Sequence, residues 1–477
     1  MNVKIQNVDS TSSVAKRSGN QPRTYLVDGV ILLVMCILLF GATLPGGLYY
    51  GASWQFFRPH TDAAKYQCYA VAFWQGTPAL KPFPDTQCDF ILNAAPPPIS
   101  NAAIASSMRR HGFPDFLVHF VESQSLTQSF HALPHEYPFL TVFPYSLGML
   151  APAHFYQVAF AVWMALLAVL IYFVLARYRS RGAAIAFAVY LVAGAWATAV
   201  ARFDLVPAAL TFFAVLCATR SRWNWAFALL ALAFLAKLYP IILLLPFMLA
   251  QQKASRDSWK AWRRWTPLAT FVGLCVVVMV VSLLLSVEGT LSPFSYFGNR
   301  PIQGESFGSS LLWLASIVRP EHLSFEFTFG SLNVISPRSG MVSLLITAME
   351  AAGLLYTWWL QWRGKLDLAA STLLTLLVVM VTGKVFSPQY LIWIIPLLAY
   401  VGGSDLRWLI SWVIIGLLTT WVYPYIYLMT NVVNVPNVPA FYPVVTVRNI
   451  LLFGVTLALL VYYTRRKSPG ESQPIGA

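Results

Sequence analysis

Residues 25–44 read YLVDGVILLVMCILLFGATL, an apolar run as long as the roughly 20 residues that one membrane-spanning helix needs. Similar runs recur along all 477 residues, and 58% of the chain is hydrophobic while only 10% is charged. A soluble globular protein carries about 25% charged residues. The pattern therefore predicts an all-α polytopic membrane protein with about twelve transmembrane helices and two long outward-facing loops.

The apolar runs and the polar stretches between them divide the chain into segments. Loops of this length are usually functional or disordered, so we expect the two long ones to carry function. The predicted segments are a cytoplasmic tail (1–24), a first transmembrane helix (25–47), a first outer loop with interfacial helices (48–152), transmembrane helices (153–286), a second outer loop (287–340), further transmembrane helices (341–464) and a second cytoplasmic tail (465–477).

The distribution of charge gives an orientation. The chain carries 32 Lys and Arg against 18 Asp and Glu, a formal net charge of +14. In this topology the basic residues concentrate on one side, which the positive-inside rule makes the cytoplasmic side. We therefore predict a multi-pass cell-membrane protein with both termini in the cytoplasm and no nucleic-acid partner. The assignment requires an outward-facing break at Lys237-Leu-Tyr-Pro240, and the alternative is one long kinked span.

A polar stretch follows the first apolar run, and residues 54–69 read WQFFRPHTDAAKYQCY. If a helix starts at Asp62, then Asp62, Lys65, Tyr66 and Tyr69 share one face. A carboxylate held beside the membrane surface can take the proton of an attacking hydroxyl, so Asp62 is the candidate general base. The simpler interpretation is an acid that stabilises a helix N-terminus. Nearby cysteines at 68 and 88 could form a disulfide if this side is oxidising, and the sequence leaves that open.

Further polar residues gather on the predicted outer side. Ionisable groups at membrane depth are costly and usually functional. Each also has a simpler explanation: Arg202 and Asp204 could pair only with each other, Lys237 and Lys384 could extend to the lipid headgroups, and Glu136 could cap the helix after it. The candidate set is Asp62, Glu136, Arg202, Asp204, Lys237, Arg300, Gln303, Glu305, Lys384 and Gln389.

Several familiar cofactor and metal motifs are missing from the sequence. We find no Walker loop, no Rossmann glycine fingerprint and no HExxH. The seven His and five Cys show no spacing typical of metal ligands. The prediction is therefore a site without a metal and without a cofactor.

Four segments carry a resemblance to a known family: RFDLVPAALT (202–211), AKLYP (236–240), NRPIQGES (299–306) and KVFSPQY (384–390). They resemble segments of glycosyltransferase family 87, and KVFSPQY is the most specific of them. The tripeptide Glu136-Tyr-Pro138 is similar to the family's Glu-Tyr-Pro-Pro, although Phe139 stands at the second Pro. The similarity extends from about Asp62 to Leu398, which is most of the chain.

Members of that family are polytopic C-type glycosyltransferases, among them polyprenol-phosphate-mannose-dependent mannosyltransferases. The resemblance implies an inverting transfer of a sugar from a polyprenyl-phosphate donor at the outer face. Specificity for the sugar does not carry over, because the family is broad; we predict mannose as the sugar and a glycan or glycolipid as the acceptor. The resemblance places the catalytic acid in the first outer loop, at Asp62. Our candidate substrate-binding residues are Arg202, Asp204, Lys237, Tyr239, Arg300, Gln303, Glu305, Lys384, Gln389, Tyr390 and Glu136.

Elementary chemistry agrees with such a site, because the departing lipid phosphate gains negative charge that basic side chains can stabilise. The alternative function is a secondary transporter or a lipid flippase, in which the same charges would line a transport path. Transporters often contain paired repeats with broken helices at corresponding positions. We see no clear internal repeat, and two long loops on one side suit an outward-facing enzyme better.

Overall fold

The computed structural model describes residues 21–41, 55–84, 86–93, 100–124, 131–298 and 300–466. Most of these residues are helical. Parts of both predicted tails, Trp54, the proline run at 96–98 and Asn299 lie outside the described residues. In chain order the helices and strands are α1 (Gln21–Gly41), α2 (Asp62–Gln75), α3 (Asp89–Leu92), α4 (Asn101–Arg110), α5 (Asp115–Ser123), α6 (Val142–Ser146), α7 (Tyr156–Tyr178), α8 (Arg181–Ala195), α9 (Leu205–Thr219), α10 (Trp223–Ala236), α11 (Leu244–Ala254), α12 (Trp262–Leu285), α13 (Val287–Gly298), β1 (Ile302–Gln303), α14 (Phe307–Val318), β2 (Ser324–Thr328), β3 (Ser331–Ile335), α15 (Ser339–Trp362), α16 (Leu368–Thr382), α17 (Tyr390–Gly402), α18 (Leu406–Thr420) and α19 (Phe441–Arg465).

The apolar helices make this a multi-pass membrane protein. Several shorter apolar helices accompany the long ones, and the predicted count of about twelve spans stays a prediction. On α12, Val277 is 60% exposed and Leu284 is 63% exposed, as expected for side chains that face lipid. Within the described residues, five helical stretches are long and apolar enough to cross a membrane: Ala153–Tyr178, Trp262–Leu285, Ser339–Trp362, Leu406–Leu428 and Phe441–Arg465.

The chain breaks where the topology required a break. Helix α10 ends at Ala236, and Lys237 has an extended backbone with φ −156° and ψ 134°. A short 3-10 turn, Tyr239–Leu243, then leads into α11. Pro240 lacks an amide hydrogen and cannot continue an α-helix through this point. The two helices are thus separate elements, and the alternative of one kinked span does not hold.

The second long loop, at residues 287–340, corrects the all-α prediction, because it contains a small antiparallel sheet of order β1-β3-β2. Ser324 pairs with Ile335 and Thr328 with Ser331, so β2 and β3 form a hairpin with a two-residue turn. Both turn residues have positive φ, 52° at Phe329 and 61° at Gly330. This conformation matches the twist of the paired strands. Strands of five residues carry too little periodic signal to separate from an irregular loop in the sequence.

Two helices of the core approach each other closely at a pair of glycines. A Cβ added to Gly416 of α18 would lie 2.9 Å from the backbone nitrogen of Gly194 in α8. Small residues allow this backbone contact, as in many membrane helix pairs. Elsewhere in the described part, Cys68 of α2 and Cys88 form a disulfide, which resolves the question that the sequence left open.

Candidate active site

A polar cavity of about 140 Å³ lies where the two long loops meet the ends of several apolar helices. Its walls come from α2, the loop before α6, the turn before α9, the end of α10, the β1 region, the start of α17 and the chain after α18. The segments that carry the family resemblance therefore converge on one place. The charged residues in its lining are Asp62, Lys65, Glu136, Arg202, Lys237, Arg300 and Glu305.

Asp62 stands in the first turn of α2, as the helical spacing predicts. The hydroxyl of Thr61 caps this helix and donates a hydrogen bond of 2.6 Å to Gln157 in α7. The next turn of α2 is buried, and Tyr66 stacks on Tyr145 with 4.2 Å between ring centroids. These contacts fix the start of α2, so the carboxylate of Asp62 lies in the cavity wall with little freedom of the backbone.

Two ion pairs join the turn before α9 to the rest of the site. Arg202 Nη2 lies 2.6 Å from Asp62 Oδ2, and Lys237 Nζ lies 2.5 Å from Asp204 Oδ1. Trp393 Nε1 also donates to Asp204 Oδ1, at 2.6 Å. Arg202 and Asp204 thus point to different partners rather than to each other. Lys237 is 10% exposed at its side chain, so it is held inside the protein instead of extending to headgroups.

A third ion pair was not predicted from the sequence. Arg448 of α19 is fully buried and lies 3.3 Å from Glu305 Oε2, while its Nη2 donates to the Glu305 carbonyl oxygen at 2.5 Å. Asn449 donates to the same carbonyl at 3.1 Å, and Tyr427 donates to Glu305 Oε1 at 2.8 Å. The available signal was one arginine inside an apolar run, which usually marks a function or a buried partner.

Two cations of the cavity, Lys65 and Arg300, have no carboxylate within ion-pair distance among the described residues. Arg300 donates through Nη2 to Ser331 Oγ at 3.0 Å and to the carbonyl of Phe329 at 3.2 Å. Its Nε is buried and has no acceptor in the described part of the protein. These two side chains can therefore meet an anion without first losing a carboxylate partner.

Glu136 adds a carboxyl group that differs from the others in the cavity. In the residues that the structure describes, it takes part in no salt bridge. Burial raises the pKa of the Glu136 carboxyl, and the nearby charge of Asp62 raises it further, while Lys65 opposes the shift. Glu136 is thus a carboxyl whose protonated form is favoured relative to an exposed Glu.

The hairpin turn between β2 and β3 covers the cavity. Phe329, Gly330 and Ser331 line it, and the Phe329 carbonyl accepts hydrogen bonds from Arg300 and from Tyr296. A Cβ added to Gly330 would lie 3.3 Å from the Tyr296 hydroxyl oxygen. Arg300 therefore both holds this hairpin turn and keeps a buried Nε that has no acceptor among the described residues.

Comparison with known proteins agrees with the resemblance seen in the sequence. The model of glycosyltransferase family 87 matches residues 137–388, more than half of the chain. The chain belongs to glycosyltransferase family 87. It is a membrane glycosyltransferase, and the family decides against the transporter alternative. The crystal structure of ArnT from Cupriavidus metallidurans in the apo state is similar at a TM-score of 0.39 and 17% identity, covering 93% of this chain and 77% of ArnT. No curated protein matches the chain.

The match to family 87 covers only part of the cavity. Arg202, Lys237, Arg300 and Glu305 lie within the matched residues. Asp62, Lys65 and Glu136 precede the match, and Gln389, Tyr390 and Arg448 follow it, so the structure joins to the family segment several residues that the family model does not reach.

The structure brings most of the predicted site residues of this family 87 protein together, but not all of them. Gln303, Gln389 and Tyr390 line the cavity. Asp204 does not line the cavity but forms the ion pair with Lys237, which does. Tyr239 does not line the cavity and stacks on Trp393 at 4.0 Å between centroids. Lys384 is exposed and does not reach the cavity. The backbone carbonyl of Lys384 instead accepts a hydrogen bond of 2.9 Å from the backbone amide of Gln303, and this bond helps to position β1.

Proposed function

We propose that this protein is an inverting glycosyltransferase that moves a sugar, first of all mannose, from a polyprenyl-phosphate donor to a hydroxyl of a glycan or glycolipid at the outer face of the membrane. One observation carries the proposal: Asp62 shares a small cavity with two cations that have no carboxylate partner among the described residues. A base and an anion-binding pair within one cavity are what attack by a hydroxyl and departure of a phosphate require.

Lys65 and Arg300 are the proposed ligands of the donor phosphate. Arg202 and Lys237 also face the cavity, but each is held by a carboxylate at 2.6 Å and 2.5 Å, respectively. Recruiting either of them would separate an ion pair, whereas Lys65 and Arg300 can bind without that cost. Charge-assisted hydrogen bonds to an anion are about twice as strong as neutral ones, so these two cations are suited to hold the phosphodiester of the donor and the more highly charged phosphomonoester that leaves.

Asp62 is the proposed general base. The acceptor oxygen attacks the anomeric carbon of the sugar, Asp62 takes the hydroxyl proton, and the bond from that carbon to the phosphate oxygen breaks. The phosphate leaves with the electron pair of that bond as polyprenyl phosphate. Arg202 holds Oδ2 of Asp62, which orients the carboxylate and leaves Oδ1 for the acceptor hydroxyl. Attack from the side opposite the phosphate converts a β-linked phosphosugar into an α-glycoside.

The side-chain amides of Gln303 and Gln389 are the proposed contacts for sugar hydroxyls. Both residues line the cavity, and the Oε1 atom of each is buried without a hydrogen-bond partner among the described residues. A buried polar group without a partner is costly, and a bound hydroxyl would supply the missing bond. A neutral amide can both donate and accept, which suits a sugar better than a phosphate.

The test is transfer by the purified protein with a panel of polyprenyl-phosphate sugars, read as release of polyprenyl phosphate and as the anomeric configuration of the product. We expect release from the mannose donor and an α-linked product. Asp62→Asn should lower turnover by about 10²- to 10⁴-fold. The matched control is Asp115→Asn, an exposed acid in the first turn of α5, which should retain full activity.

Three outcomes would overturn parts of the proposal. Release from none of the donors would refute the donor class. A β-linked product from a β-linked donor would refute inversion. Normal turnover of Asp62→Asn together with an inactive Glu136→Gln variant would move the base role to Glu136.

A further inference from the structure

The size of the polar cavity limits how an acceptor can reach it. The cavity holds about 140 Å³, which is small beside ordinary small-molecule sites of about 300–1,000 Å³. In the proposed function the phosphate and the sugar of the donor already occupy this space. The acceptor must therefore stay outside and insert only its attacking hydroxyl. Among the described lining residues, those that are exposed are Phe327, Gly330 and Val432, and we call these three the mouth of the cavity.

Phe327 is the aromatic side chain of this mouth, and it is 51% exposed. Side chains two residues apart on a strand lie on the same face, so Phe325 is its natural comparison. Phe325 packs in the core of the loop, 6.0 Å from the ring of Tyr442 between centroids and in one apolar cluster with Ile302. In the part of the chain that the structure describes, no ring stacks on Phe327. Packing therefore accounts for Phe325 and not for Phe327.

The hairpin holds Phe327 in a fixed position. Asn333 is fully buried, and its Nδ2 donates to the carbonyl of Thr328 at 2.8 Å and to the Thr328 hydroxyl at 2.9 Å. On the other side of the turn, Arg300 donates to the carbonyl of Phe329 at 3.2 Å. Because Arg300 is also a proposed phosphate ligand, the strand that carries Phe327 is fixed relative to the donor. A ligand group that binds this ring meets a preorganised surface.

The chemistry of the mouth favours one class of acceptor. Val432, from the turn after α18, contributes a second apolar side chain that is 37% exposed. A carboxyl group lies at the edge, because a Cβ added to Gly330 would be 3.9 Å from Glu136 Oε1. The face of an aromatic ring carries partial negative charge and attracts C–H groups. A pyranose has C–H bonds on its faces and hydroxyls on its rim, so it matches an aromatic face bordered by a carboxyl.

We infer that Phe327 is a specificity-determining residue that stacks on the pyranose ring whose hydroxyl attacks the donor. The acceptor group is thus a sugar hydroxyl, and an alkyl alcohol is a poor substitute because it cannot cover the ring and reach the carboxyl together. The inference rests on the proposed function for the reaction itself. It adds the side chain that recognises the acceptor and the ring face by which the acceptor is held.

The test compares sugar and alkyl acceptors in a detergent without a sugar headgroup. Transfer from a long-chain polyprenyl-phosphate mannose is measured to the octyl glycosides of α-mannose, β-glucose and β-galactose and to 1-octanol. For the wild type, kcat/KM with the best glycoside should exceed that with 1-octanol at least about tenfold. Phe327→Ala should raise KM for this glycoside about tenfold, the loss expected for one aromatic stack and the area that it buries.

Three further values separate recognition of the acceptor from damage to the site. Phe327→Ala should leave the donor KM within about twofold of the wild type. Phe327→Trp keeps a flat aromatic ring and should bring the acceptor KM back to within about threefold. The matched control is Phe113→Ala, at a position that is 50% exposed and lies outside the cavity, and it should match the wild type. Equal use of 1-octanol, an unchanged acceptor KM in Phe327→Ala, or an equal rise of both KM values would each overturn the inference.

A binding measurement separates this inference from the proposed function. Saturation-transfer NMR on the methyl glycosides of the same three sugars needs no donor and no turnover. The C–H protons of one ring face should receive saturation from the wild type and from Phe113→Ala, and at least about threefold less from Phe327→Ala. If the wild type transfers from no donor while this difference persists, the stacking assignment stands and the proposed transfer fails. If the wild type transfers sugar while Phe327→Ala matches it in acceptor KM and in saturation, the stacking assignment fails alone.

Discussion

Two ion pairs of this protein use the same chemistry in different surroundings. The side chains of Asp62 and Arg202 are 27% and 20% exposed in the cavity wall, whereas those of Glu305, which also borders the cavity, and of Arg448 behind it are 2% and 0% exposed. Each pair joins residues that are far apart in the chain. The difference in access to water decides what each can do, because a pair in the cavity can exchange a partner for a substrate and a sealed pair cannot.

The sealed pair also carries more of the fold. Arg448 and Asn449 both bond to the Glu305 carbonyl, and Tyr427 bonds to the Glu305 carboxylate. This arrangement ties α19 and the chain after α18 to the loop that leads into α14. We therefore expect the cavity pair to control catalysis and the sealed pair to control stability.

The largest effect on stability should come from breaking the sealed pair. Arg448→Met leaves the Glu305 charge buried without its partner, which typically costs about 3–5 kcal/mol. We expect a clearly lower Tm in detergent than for the wild type. Arg202→Met should lower Tm far less, because Asp62 keeps access to water in the cavity.

The double variant Glu305→Leu with Arg448→Met tests the cause of that loss. Replacing both charges by apolar side chains often restores stability, so the double variant should be more stable than Arg448→Met alone. If Arg448→Met unfolds at the wild-type temperature, the distinction between the sealed pair and the cavity pair does not hold.

The next largest effect is a loss of kcat/KM on replacing the two cavity cations that have no carboxylate partner among the described residues. Lys65→Gln or Arg300→Gln should each remove a charge-assisted bond to the donor phosphate, worth about 1.5–3 kcal/mol. The expected loss in kcat/KM is roughly 10- to 150-fold, with Tm nearly unchanged, measured with the long-chain mannose donor. Lys81→Gln, at an exposed position outside the cavity, is the control.

Lys384→Gln discriminates between the sequence and the structure as guides to the phosphate site. The sequence predicted Lys384 as a substrate-binding residue, and the structure leaves its side chain exposed outside the cavity. A loss as large as that of Arg300→Gln would restore the prediction from the sequence and refute our choice of Lys65 and Arg300.

The sequence predicted the helical membrane fold, the break after Ala236 and the position of Asp62 in a first turn, because apolar run length, proline and helix capping act locally. It could not predict which charges pair. Arg202 and Asp204 are two residues apart and bind partners from different helices. Such choices depend on the packing of distant elements.

Arg448 and Lys384 show two ways in which the sequence alone failed to identify the side chains of the site. It missed Arg448, and it included the side chain of Lys384. Arg448 lies in an apolar run without a recognisable motif, so nothing local tied it to Glu305. Lys384 belongs to the most specific motif, yet its contact with a cavity residue is made by its backbone, whose carbonyl accepts a hydrogen bond from the backbone amide of Gln303. A motif identifies a segment near the site, and three-dimensional contacts decide which atoms of that segment reach the site.

The smallest effect is a change in the pH dependence of Tm at Glu136. This carboxyl belongs to neither ion pair and has no cation partner among the described residues. Burial raises its pKa above the usual value near 4.3. The folded state therefore holds the Glu136 proton more tightly than the unfolded state does. Its contribution to stability is greatest below the unfolded pKa and falls as pH rises through the raised folded pKa.

Glu136→Gln removes this titration, so the variant should lose less stability than the wild type as pH rises from about 4 to 8, a difference of no more than a few degrees in Tm. Tm measured against pH in detergent checks this, with the exposed Glu326→Gln as control. Parallel curves for Glu136→Gln and wild type would mean that the pKa of Glu136 is the same in the folded and unfolded states, so that its protonated form is not favoured by the fold. In that case the cavity would hold two competent bases, and the contrast between Asp62 and Glu136 would have to be decided by turnover rather than by charge pairing.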